Sequence, residues 1–113
     1  MIANNPPLTE YAGSLIDKLW RDRLRSLLSV DDLIGALYDF LEEHKLLDNT
    51  YIYYSSDHGY HLGEFGVPCF KATPYEFDVR VPTYLVGPGV EAKSTESLLV
   101  GNIGMYLWIV INF

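Results

Sequence analysis

Asp57-His58-Gly59 stands where an apolar and aromatic run, Tyr51 to Tyr54, gives way to a loop. A carboxylate and an imidazole side by side can ligate a divalent cation, and glycines let the backbone turn tightly around one. Gly59, Gly63 and Gly66 fall close together, with a second histidine, His61, between them. The competing reading is an aspartate capping the next turn and a histidine exposed on a loop, since Asp-x-Gly turns are common. Spacing alone leaves both open. Cys69 is the single cysteine, so no internal disulfide can form, and no Cys/His spacing suits zinc.

The elements that must position this stretch are legible in the hydrophobic pattern. Leu15, Ile16, Leu19, Trp20, Leu24, Leu27 and Leu28 recur at steps of three and four, which predicts one apolar helix face over about 15–28. Ser14, with Asp17 three residues on, resembles a capping box. A second helix is expected over about 30–45. Ser29 would cap it, Asp31 and Asp32 would sit in its first turn, and His44-Lys45 would lie near its end. Residues 51–56 then predict a strand buried on both faces, as in a parallel sheet covered by helices. A second short strand is expected at 83–86, in one parallel sheet with the first and closed by Gly87-Pro88-Gly89. The loop between them is long, rich in Gly and Pro, and of the kind that usually carries function. It leaves from the carboxyl end of the first strand, the edge outside which ligands bind in open α/β sheets.

Composition narrows the function classes. The chain has 113 residues and a net charge of −7. Its only basic cluster is Arg21, Arg23 and Arg25, so a nucleic-acid surface is not expected. Sixteen aromatic residues argue against intrinsic disorder. The start, MIANNPPLTE, does not read as a signal peptide. The end, GMYLWIVINF, is apolar but shorter than the roughly 20 residues a membrane span takes.

Three blocks in order resemble the sulfatase family: Ser-Val-Asp-Asp at 29–32, the Asn-Thr strand running into Ser-Asp-His-Gly at 56–59, and Lys71…Tyr75-Glu76…Arg80-Val81-Pro82. Within that family, GYH-x-G after the aspartate and YEFDVRVP are most like the N-acetylglucosamine-6-sulfatases and the extracellular heparan endosulfatases. The likeness covers about residues 8–103, leaving 104–113 as a divergent tail. It implies an α/β fold, one section of the alkaline-phosphatase-like architecture with helices packed on a mostly parallel sheet. It also implies hydrolysis of sulfate esters, a sulfated glycosaminoglycan substrate, and a lysosomal or extracellular setting.

By the same resemblance, Asp57 and His58 would ligate Ca2+, although calcium prefers oxygen to imidazole nitrogen. Lys71 would contact the sulfate ester, offsetting charge that develops on its oxygens. His61 would either reach the sugar or the leaving oxygen or serve as a structural histidine of the loop. Glu76 and Arg80 would brace the loop as an ion pair, with Tyr75 and Phe77 packing beside them. Sulfatases attack sulfur with a formylglycine made from Cys or Ser in Cys/Ser-x-Pro-x-Arg, an activated nucleophile. No such motif occurs in these 113 residues, and Cys69, followed by Phe70, does not match it. The paired aspartates that complete the metal site are also missing.

The expectation is therefore an interior fragment, inactive alone, that carries half of an active site. The alternative is a non-catalytic product with at most a residual cation or sulfated-glycan site. Phosphodiesterases and phosphonate hydrolases, which share the Asp-His pattern, remain a weaker reading of the reaction. The apolar tail makes self-association possible.

Overall fold

The computed structural model describes residues 4–97 and 101–102. One long helix, α1, runs from Glu10 to Glu43. It is followed by strand β1 (Ile52–Ser55), the short helix α2 (Glu76–Val79) and strand β2 (Thr83–Val86). The two expected helices are thus a single one. Thr9, not Ser14, caps it, its hydroxyl accepting from the Ala12 amide at 3.2 Å. The Ser14 hydroxyl instead donates back to the Tyr11 carbonyl, and Ser29 lies mid-helix. A serine inside a helix costs only a few tenths of a kcal/mol, and no proline occurs between Pro7 and Pro68 to break it.

The helix ends where its sequence signals placed the end. Lys45 adopts a left-handed φ of 56°. Its amide donates to the Glu42 carbonyl and that of Leu46 to Leu41, which satisfies carbonyls the helix would leave bare.

β1 and β2 share one sheet, as expected, but they pair antiparallel, Ile52 opposite Val86 and Ser55 opposite Thr83. The expectation of parallel pairing for these two strands is corrected. An apolar run reports that a strand is buried, and it does not report the direction of its neighbour. Nor is the burial two-sided within this chain, since Tyr53 and Tyr84 are exposed.

Among the described residues, Leu41 is the one buried hydrophobic. Trp20, Leu24, Leu28 and Leu33 lie exposed along α1. The radius of gyration is 18.5 Å, against about 13 Å for a compact chain of this length. The apolar face read from the sequence therefore exists, but little among the described residues covers it. Besides the turn at Leu47–Asn49 just past its end, α1 meets the loop between the strands. The Arg23 guanidinium stacks 5.2 Å from the Tyr60 ring, and the N-terminal segment reaches the loop through Asn5, which donates to the Phe65 carbonyl. No described helix is long and apolar enough to cross a membrane. The tail at 104–113 lies outside the described residues.

Candidate functional site

The site forms where β1 runs out. Beyond Ser55 the backbone turns, and the Ser56 hydroxyl donates to the His58 carbonyl at 2.8 Å. Gly59 follows because nothing larger fits: a Cβ there would stand 2.0 Å from the Phe77 carbonyl oxygen. Its amide donates to the Asp78 carbonyl at 2.7 Å, seating the turn against α2. Gly63 then takes a φ of 92°, a conformation glycine adopts without steric cost. Asn102, far along the chain, closes the strand end by donating its carboxamide to the Ser56 and Asp57 carbonyls.

This folding brings Asp57, His58 and Lys71 together. Nζ of Lys71 lies 2.6 Å from Nε2 of His58, which lies 3.1 Å from Oδ2 of Asp57. The other ring nitrogen, Nδ1, is 2.6 Å from the Gly59 carbonyl. A carbonyl only accepts, so Nδ1 carries the proton. In the neutral ring Nε2 is then an acceptor, and it takes a hydrogen bond from the Lys71 ammonium. Asp57 is open to solvent, with 81 % of its side chain exposed. The result is a carboxylate, an imidazole and an ammonium on one exposed edge, able to meet an anion and a cation at adjacent points.

His61 lies elsewhere. It is 1 % exposed, and Nδ1 sits 2.9 Å from Oδ1 of Asp78, itself 3 % exposed. Asp78 also accepts from Thr73, from the amide at 2.8 Å and the hydroxyl at 2.6 Å. Burial is the largest influence on this carboxyl and pushes its pKa up. The bonds from the Thr73 hydroxyl, His61 and the Thr73 amide together outweigh that and hold it at about 2, below the usual 3.8.

Asp78, Thr73 and Asn102 escape a reading of the sequence, since each acts across a separation that no local pattern encodes. Glu76 and Arg80 do approach, at 3.8 Å, but both are exposed, and such a pair contributes little. Asp78 braces the loop in their stead. Phe77 packs as expected, its ring 5.4 Å from Tyr75 and 5.5 Å from His61.

The residues present fit a calcium ion only in part. Asp57 can offer one carboxylate, and the described residues hold no cluster of three or more His, Cys, Asp or Glu. A calcium shell takes six to eight oxygens.

Comparison with known proteins places the chain in a family. The profile of the family described as Sulfatase matches residues 3–106. The N-acetylglucosamine-6-sulfatase of Capra hircus is 44 % identical over 99 residues, 88 % of this chain and 18 % of that protein. A putative extracellular sulfatase Sulf-1 homolog of Caenorhabditis elegans is 49 % identical over 90 residues, 80 % of this chain and 13 % of that protein. An arylsulfatase of Volvox carteri is 40 % identical over 92 residues, 81 % of this chain and 14 % of that protein. The chain thus spans less than a fifth of the length of these relatives. No solved structure matches it.

Proposed function

Because this chain belongs to the sulfatase family, we propose that its strand-end loop binds a sulfate ester and serves sulfuric ester hydrolysis. The observation that carries this reading is the 2.6 Å approach of Lys71 to His58 beside the open carboxylate of Asp57. Lys71 is the sulfate contact. Its ammonium would shift from the His58 ring to the ester oxygens, where negative charge grows as the S–O bond breaks. Asp57 and His58 are the residues this chain would give to a divalent cation, which when bound offsets the charge of the sulfate. They supply too few ligands to hold it alone. Burial of His61 favours a place inside the loop over a direct contact with the sugar.

Within these 113 residues there is no Cys/Ser-x-Pro-x-Arg, so by themselves they supply binding groups and no nucleophile. The substrate class that its relatives' names favour is the 6-sulfate of N-acetylglucosamine, and we place that sugar within heparan-type glycosaminoglycans. A lysosomal or extracellular setting accords with that substrate. The family implies an alkaline-phosphatase-like α/β fold, of which residues 1–113 would form one section.

Two assays test the reading. Titration with N-acetylglucosamine 6-sulfate should show binding that Lys71→Ala removes, and 4-nitrocatechol sulfate should not be hydrolysed. No binding at millimolar ligand would sink the first claim. Turnover that disappears in Lys71→Ala would sink the second.

A further inference from the structure

Within the loop between β1 and β2, bonds from three separate segments converge on one residue, Asp78. Three arms meet there. The Asp78 carbonyl accepts from Gly59, directly after His58. The His61 ring donates mainly to one carboxylate oxygen, Oδ1, at 2.9 Å, with Oδ2 at 3.1 Å. The other, Oδ2, takes both the amide and the hydroxyl of Thr73, two residues after Lys71. His61 in turn pairs backbone to backbone with Phe70, at 3.1 and 3.3 Å. Lys71 is therefore held on both sides, by Phe70 through His61 and by Thr73 through Asp78. The segment between them is strained, because Ala72 adopts a φ of 82°. A non-glycine residue keeps such a conformation when its surroundings over-determine it.

We propose that Asp78 is a positioning residue that, through His61 and Thr73, holds Lys71 against the Asp57–His58 end of β1. This rests on the reading of Lys71, Asp57 and His58 as a sulfate-binding edge. The carboxylate is suited to the task because it only accepts, and three donors converge on it. It also fixes His61 with the proton on Nδ1, since a deprotonated Nδ1 would face the carboxylate without a hydrogen bond.

Asparagine at 78 reverses that logic. With its oxygen kept on Thr73, its amide would donate toward His61 and move the ring proton to Nε2. A residue that merely filled space would leave the tautomer unchanged.

The test uses the whole 113-residue chain, isotope-labelled, with inorganic sulfate as the probe. The wild-type chain should show an NOE between the His58 ring and the Lys71 side chain, and the His61 nitrogen shifts of an Nδ1-protonated ring. Asp78→Asn should swap the His61 tautomer, lose the His58–Lys71 NOE and weaken sulfate binding by about tenfold, the scale set by losing hydrogen bonds to a charged group. Should Asp78→Asn fail to fold, Thr73→Val removes one donor and leaves the His61 pair intact. It should weaken the NOE, and Thr73→Ser should restore it. An NOE unchanged in both Asp78→Asn and Thr73→Val would overturn the proposal, as would its absence from the wild-type chain. A wild-type chain that keeps the NOE but ignores sulfate would leave Asp78 as the positioning residue and refute the sulfate-binding reading instead.

Discussion

The Gly59 amide and the Asp78 carbonyl meet at 2.7 Å, across a gap that leaves no room for a side chain. That contact joins the end of β1 to α2 and sets where His58 points. A methyl group at 59 would press on the Phe77 carbonyl, which is backbone and cannot swing aside. Gly59→Ala should therefore destabilise the chain by about 1–3 kcal/mol, the usual cost of overpacking. Urea denaturation followed by circular dichroism measures it. A variant as stable as the wild type would mean that the two segments are not in contact.

Acid should loosen the same region. The Asp78 carboxyl titrates at about 2 when folded and near 3.8 when free. Its folded value is depressed, so the ionised form contributes stability that is fully present above about pH 4. That contribution fades as the pH falls from 3.8 toward about 2. His61 is the titratable side chain it faces. The predicted signature is a fall in denaturation midpoint across this window that is shallower in Asp78→Asn. Parallel pH curves for the two proteins would assign the acid sensitivity to other carboxylates.

How much of this was visible in the sequence differs from element to element. The apolar face of α1 was legible, but its continuity was not. Ser29 with Asp31 and Asp32 has the composition of a helix start, and only the absence of a breaker decides otherwise. Both strands were located nearly to the residue, because β-branched and aromatic runs between turn residues are a local signal. Their antiparallel pairing is a fact about two segments, and neither run carries it. Asp57, His58 and Lys71 could be named from the family-like motifs. The clasp at Asp78 could not, since His61 lies 17 residues away and the carboxylate acquires its role only once the loop has closed.

Calcium should bind poorly. Asp57 offers a single exposed carboxylate, and Lys71 places a positive charge beside His58. With six to eight oxygens needed, affinity is expected to be weaker than about millimolar, the weak end for protein calcium sites. Calorimetry settles the point. Micromolar binding that vanishes in Asp57→Ala would show a complete shell within these residues.

The exposed length of α1 predicts association. Trp20, Leu24, Leu27, Leu28, Leu33 and Leu37 are each more than 40 % exposed on a helix that little else among the described residues covers. A two-stranded sheet adds little stability, being marginal by itself. Residues 106–111, Tyr-Leu-Trp-Ile-Val-Ile, contribute a sequence of high β-propensity without charge or proline, the composition of an aggregation-prone segment. The net charge of −7 opposes association, but it acts at long range and salt screens it. Apolar contact should therefore win at moderate ionic strength, with sedimentation showing larger species as salt rises. Deleting residues 104–113 should improve solubility without abolishing association, because the α1 face remains. Charged substitutions at Leu24 and Leu28 should then reduce it further. A 113-residue chain that sediments as a monomer at high salt and melts in one sharp transition would show that these residues are self-sufficient, and that the exposed face of α1 has no partner to find.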